Sequence, residues 1–475
     1  MKRALFITIG TRDITLDKKI FAEKTDPKKV KNCYRKKAVG FEQLLARPAG
    51  ELIIEHLSQL KRDLKFPIIE PFLKYLEIND SPLFDEVFLI ATDQDPEIVR
   101  EYAKTDTIHF AEILKRLLPG KYKVNGETGF NRISVIPVKG DVIYIDSMFN
   151  FFNDLLKRRK YSYLNEYDEI HLLNQGGIDA INYGLLLNAL YLYGKKNRLY
   201  TVNELGNLCT PLDFGTQFVN EQEKILLLQA IERYDYSYAK LTGISIDAAT
   251  WAAYAEARLN FDFDTAYQRL SQLSTSLREK QVQELLDIEK VRENTQNLTA
   301  ELYWNAMIRF KQEAYVDFVQ RFFRIVEQYA QTKALSYIKK LDYDPKQHHY
   351  WEKKIIDFLE KPENAKLKKH LEESKVGNDS KLDISKPNIP VFMSILKFYN
   401  PKEHDFIQQL VPLSRIRNKG IGAHGFEPVS LKQILETLSL KREEFEGLLM
   451  KTGKKLKVLS NPFERINENI AELVT

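Results

Sequence analysis

At about residue 215 the hydrophobic pattern of the chain changes its period, and that change limits what the chain can fold into. Ahead of it, short apolar runs alternate with amphipathic stretches. Behind it, apolar residues recur almost only at three- and four-residue spacing. The first pattern predicts a largely parallel sheet covered by helices, a Rossmann-like α/β unit; the second predicts helices alone. Strands are expected at residues 4–9, 86–91, 132–137, 169–173 and 199–202, with helices at 49–61, 97–102, 107–118, 147–158 and 178–193. Beyond the change, amphipathic helices are expected at 222–239, 245–259, 263–273 and 277–291. From about residue 297 the pattern turns aromatic, with Tyr303, Trp304, Phe310, Tyr315, Phe318, Phe322 and Phe323 at helical intervals, which reads as core packing. The polar stretch 373–388 reads as a connection between helices.

A chain of 475 residues exceeds what one core usually organises, so two or three domains are expected. No apolar run approaches the roughly 20 residues needed to span a bilayer, and the opening MKRALFITIGTRD reads as a buried strand, so the expectation is a cytoplasmic protein without membrane contact. Cys33 and Cys209 stand far apart with no Cys or His at ligand spacing, which argues against a disulfide framework and a zinc site; no metal site is expected. A net charge of +5 permits an anionic partner without demanding one.

Chemistry concentrates near the C-terminus, in Ser414-Arg415-Ile416-Arg417-Asn418-Lys419-Gly420-Ile421-Gly422-Ala423-His424-Gly425. In an unbroken helix Arg417 and His424 lie two turns apart on nearly one face, with Gly420 and Gly422 loosening the second turn. RNA cleavage without a metal needs a proton taken from the 2′-hydroxyl, a proton given to the leaving 5′-oxygen, and charge neutralised on the phosphorane-like transition state. Histidine titrates near neutrality and serves either transfer, arginine offers phosphate a fixed fork of donors, and Asn418 can orient ribose or phosphate or cap the helix. By spacing alone, Arg417 and Lys419 equally complement a helix C-terminus, with His424 in a Gly-rich turn.

Arg417-Asn418 followed by five residues and His424, in an all-helical region, resembles the Arg-(four to six residues)-His signature of HEPN ribonucleases. Ahead of it, Gly10-Thr11-Arg12-Asp13, Thr92-Asp93 and Asn174-Gln175-Gly176-Gly177 each follow an expected strand, where open α/β sheets hold ligands. Paired glycines let backbone approach a ligand, and helix N-termini favour anions. These loops resemble those of the CARF domain in type III CRISPR-associated CARF–HEPN ribonucleases. Gln175 and Ile178 stand where that family commonly has threonines, which puts self-limiting cleavage of the activator in doubt.

The resemblance implies a CARF-like sensor at 1–215, a helical connector at 216–296 and a HEPN-like nuclease at 297–475. It implies an endoribonuclease acting on single-stranded RNA in antiviral defence, with Arg417, Asn418 and His424 catalytic, and leaving 2′,3′-cyclic phosphate ends. It also implies a cyclic oligoadenylate of unstated ring size as allosteric activator, held by Gly10, Thr11, Arg12, Asp13, Thr92, Asp93, Asn174, Gln175, Gly176 and Gly177. No other cofactor is implied, and the expected state is a homodimer, whose two-fold axis matches a ring with an even number of units. The competing reading is a nucleotide-sensing regulator or scaffold whose helical half binds nucleic acid or protein without catalysis. A dinucleotide-dependent oxidoreductase lacks its Gly-x-Gly-x-x-Gly, an NTPase its Gly-Lys-Ser/Thr loop, and a zinc hydrolase its His-Glu-x-x-His. A winged-helix reader lacks strand pairs in the helical half.

Overall fold

Arg3–Thr8, the first apolar run, forms the strand (β1) around which the N-terminal sheet is built. The computed structural model describes residues 1–36, 42–79, 82–97, 103–157, 167–240, 245–343, 348–376, 380–421, 425–458 and 460–474. They divide into two compact units, Met1–Gln222 and Glu223–Thr475.

In the first unit β1 is joined by β2 (Glu86–Thr92), β3 (Ile133–Val138), β4 (Glu169–Leu173), β5 (Asn197–Asn203) and β6 (Leu208–Leu212), in the order β6-β5-β4-β1-β2-β3. All neighbours are parallel except β6, which runs antiparallel to β5. The central strands read as unbroken apolar runs because both faces are covered. Leu5 and Ile7 point into one core with helices Ala46–Glu55, Ile69–Ile78 and Ile108–Lys121. Ala4 and Phe6 point the opposite way, Phe6 stacking on Phe88 at 4.6 Å, into a core closed by Ile145–Lys157 and Asp179–Tyr193. The chain winds outward from β1 through β2 to β3, then returns to β4 on the other side of β1. That reversal between β1 and β4 is where an open α/β sheet leaves a crevice at its carboxyl edge.

Three expectations change. β6 extends the sheet beyond the strand expected at 199–202; Pro211, which discourages a central strand, is accommodated because β6 lies at the edge. The helix expected at 49–61 starts earlier and is broken at His56 into Ala46–Glu55 and Leu57–Leu60. Ile69–Ile78 is a helix that the period did not reveal. Residues 98–102 of the helix expected at 97–102 lie outside the described residues.

The second unit is helical, its one strand pair among the described residues being the two-residue hairpin Lys375–Val376 with Ser380–Lys381. One core gathers the helices from Ile246–Leu259 to Arg278–Arg292 and is completed by Phe463, Ile466 and Ile470 from Pro462–Glu472. Arg258 is buried there, donating to Glu301 at 2.7 Å and Asp287 at 2.9 Å, while Arg465 donates to Glu284 at 2.6 Å. The other core surrounds Tyr315–Tyr337, and the aromatic stripe belongs to it: Phe318 and Phe322 are fully buried, their rings 5.3 Å apart.

Candidate functional site

Each unit carries one cleft lined by residues that the sequence singles out. In the first unit the loops leaving β1, β2, β3 and β4 surround a cleft of about 580 Å³. Of the residues singled out in the sequence, Gly10, Thr11, Thr92 and Gly177 line it, together with Gln94, Thr107 and Lys139, which sequence reasoning did not single out. The signal for Lys139 was present: Lys139-Gly140-Asp141 follows an apolar strand just as the other loops do.

The walls are held by pairings internal to the fold. Thr92 N donates to Thr107 Oγ1 at 3.2 Å, Thr107 N donates to Thr92 Oγ1 at 3.1 Å, and the Thr107 hydroxyl donates to the Ile9 carbonyl. Arg47 donates to Asp93 at 2.9 Å and to Asp106 at 2.8 Å, so the Asp93 carboxylate is committed to the wall. Lys139 stands at the rim, 71% exposed, 3.6 Å from Asp93. Arg12, 69% exposed, pairs with Glu204. Asn174 Nδ2 donates to the Asn182 carbonyl at 3.4 Å. Gln175 clamps β5 with both ends of its amide, donating to Val202 O at 2.6 Å and accepting from Val202 N at 2.5 Å.

The paired glycines have different reasons. A Cβ on Gly176 would lie 2.1 Å from Thr8 O and 2.5 Å from Asp13 Oδ2, so the space beside Gly176 is filled by the protein itself, not left open to a ligand. Gly177 lines the cleft in the left-handed region at φ +83°. Asp13 lies behind this turn, fully buried, accepting from Gly10 N at 2.6 Å; burial pushes its carboxyl up to about 7, with the Gly10 hydrogen bond opposing.

In the second unit the helix Leu413–Lys419 packs Leu413 and Ile416 into the core and turns Arg417 and Asn418 to a cleft of about 770 Å³. Arg417 donates to Glu327 at 3.3 Å, and its guanidinium lies 5.3 Å over the Phe323 ring. Glu327 also pairs with Arg324 at 3.5 Å. Glu327 thus orients the guanidinium while leaving part of its fork of donors open, the side chain being 37% exposed. Neither Glu327 nor Phe323 could be found from the motif, because both sit on Tyr315–Tyr337, some 90 residues upstream.

An unbroken helix running on from Arg417 does not form. The chain approaches Arg417 through two short helices, Pro401–Gln408 and Leu413–Lys419, and the second stops at Lys419, with Gly420 extended at φ −78°, ψ 162°. The chain then folds back: Glu427 N donates to Lys419 O at 3.0 Å, and a Cβ on Gly425 would fall 1.9 Å from that same carbonyl. His424 lies outside the described residues, as do Gly422 and Ala423; Gly420 and Glu427, on either side of them, form an isolated bridge.

Among the described residues no group of three or more His, Cys, Asp or Glu is placed to hold a metal, both cysteines are buried, and no helix is long and apolar enough to cross a membrane.

Residues 288–443 match the family model of the Csm6 HEPN domain. The fold is similar to that of Enterococcus italicus Csm6 bound to cyclic hexa-2'-fluoro-hexa-dAMP, with a TM-score of 0.58 over 100% of both chains at 13% identity. No curated protein matches the sequence. Residues 288–443, which include Arg417 and Asn418, thus match a Csm6-type HEPN domain, and they follow an α/β unit with its cleft at the sheet reversal, in a fold similar to that of Csm6.

Proposed function

We propose that the protein is an endoribonuclease of type III CRISPR defence, switched on by a cyclic oligoadenylate bound at the N-terminal cleft. The observation that carries this reading is Arg417, held by Glu327 at the edge of a polar cleft within the HEPN domain. The nucleophile is the 2′-hydroxyl of the RNA itself. His424 carries the proton transfers, Arg417 neutralises the phosphorane-like transition state, and Asn418, exposed beside it, orients ribose or phosphate. Products carry 2′,3′-cyclic phosphate and 5′-hydroxyl ends, and no step is routed through a metal. The division follows the sensor at 1–215, connector at 216–296 and nuclease at 297–475, acting in the cytoplasm.

The activator site is built from Gly10, Thr11, Thr92 and Gly177, with Lys139 as a cation at the rim. Support for a homodimer comes from the helix Asp179–Tyr193, where Tyr183, Leu187 and Tyr191, four residues apart, are exposed along one face.

Cleavage of a fluorogenic single-stranded RNA, with and without cyclic tetra- or hexaadenylate and in excess EDTA, tests the proposal. Activator-dependent cleavage that survives EDTA is expected, and Arg417→Ala or His424→Ala should lower the rate about 10²–10³-fold. Near-wild-type turnover by either variant would overturn the assignment of the site. 5′-Phosphate ends by mass spectrometry would overturn the 2′-hydroxyl mechanism.

A further inference from the structure

The cleft at Arg417 continues beyond the catalytic residues. From the helix Tyr315–Tyr337 it takes Arg324, Glu327, Gln328 and Gln331; Gln328 also lines a second cleft, of about 150 Å³, with Thr332, Lys333, Lys455 and Lys457. The opposite wall is continuous as well. Thr295, at the start of Thr295–Lys311, lines the first cleft, and Gln296 and Thr299 line the second. Arg324, Gln328 and Thr332, four residues apart, share one helix face, so the two clefts are successive stretches of one furrow. Nine residues of helix separate Arg324 from Lys333, about 13 Å, the rise of roughly four stacked nucleotides.

The furrow is basic at both ends and neutral but hydrogen-bonding between. Arg417 and Arg324 stand at one end, Lys333, Lys455 and Lys457 at the other, against the carboxylates Glu327 and Glu403. Glu403 is committed to Lys455 at 2.8 Å and accepts the Tyr329 hydroxyl at 2.5 Å. Among the described residues Lys333 and Lys457 make no ion pair. Lys333 lies 5.5 Å over the Tyr329 ring. Lys457 is exposed just past the helix Arg442–Lys455 at φ +57°, where Lys457 N donates to Lys454 O and Val458 N to Gly453 O. Glycine is the ordinary residue in that conformation; here the turn instead presents a cation to the furrow.

We propose that this furrow is a binding lane for the RNA strand flanking the cut, with Lys333 and Lys457 contacting its phosphates and the Gln and Thr walls meeting ribose hydroxyls and base edges. It rests on the ribonuclease reading and adds a second phosphate-binding region to the catalytic one. Such a lane favours long, unstructured RNA over short fragments without selecting sequence.

The test compares kcat/KM for a long unstructured oligoribonucleotide and for a tetranucleotide, with saturating cyclic oligoadenylate. In Lys333→Glu/Lys457→Glu the advantage of the long RNA should fall about tenfold, and the salt dependence of its binding should flatten by about 1.4 in log–log slope, two phosphates at ~0.7 each. Lys457→Gly removes one cation while easing the backbone, so it should lose about threefold of that advantage with no fall in melting temperature. An undiminished long-RNA advantage in both variants would overturn the lane. RNA binding by Arg417→Ala protein, read by fluorescence polarisation with and without the lysine changes, separates the two ideas. If the wild type cleaves neither RNA, the ribonuclease reading fails, while equal Kd values in the binding arm would sink the lane alone.

Discussion

Asp13 shows how one side chain can set the pH response of the N-terminal unit. An aspartate in the unfolded chain titrates near 3.8, whereas burial holds Asp13 in the fold near 7. The folded state therefore binds the proton more tightly. The stability this contributes is fully present below 3.8 and is lost as pH rises toward 7, a gap of at most about 4 kcal/mol. Asn keeps an oxygen to accept from Gly10 N and has no charge to bury. The prediction is that between about pH 5 and pH 8 the wild type loses melting temperature relative to Asp13→Asn. Parallel melting curves across that range would refute the reading of Asp13.

At the scale of elements, the sequence makes five of the six strands of the sheet visible, the central ones most plainly because their side chains are buried on both faces. β1, β2 and β4 appear as unbroken apolar runs. β6 is hidden because an edge strand tolerates Pro211, and Ile69–Ile78 because its period is too short to stand out. The loops after β1, β2 and β4 were legible by the same logic, and the loop after β3 obeys it too. What local reasoning could not supply is the long-range pairings, Gln175 with Val202 and Arg417 with Glu327, and the stop at Lys419. These pairings decide how the proposed activator site should be probed. Gly176→Leu drives a side chain into Thr8 O and Asp13, so it should cost the unit its fold rather than its ligand. Lys139→Ala, at the exposed rim, should instead weaken cyclic oligoadenylate binding about tenfold, the loss of one charge-assisted contact, with melting temperature unchanged. Isothermal titration beside a thermal melt checks both, and full affinity after Lys139→Ala would remove Lys139 from the site.

For the whole molecule, a single Arg–His pair is a sparse apparatus for a reaction needing an acid, a base and a phosphate clamp, and in the proposed homodimer a second copy would supply the remainder. Leu187→Glu places a charge in the exposed stripe Tyr183–Leu187–Tyr191 and should convert the protein to a monomer with lost or concentration-dependent cleavage. Light scattering alongside the RNA assay would show this, and a fully active monomer would dismiss the dimer. The buried charges around Arg258 carry a consequence for how the enzyme is made. The core that holds them is closed by Phe463, Ile466 and Ile470, and the Glu284 carboxylate waits for Arg465 across 181 residues of chain. A ribosome must therefore reach about residue 470 before the helices of that core are sealed, whereas the first unit has all six strands of its sheet by Leu212. Birth order thus lets the N-terminal unit finish folding while the helical unit still waits for its last helix.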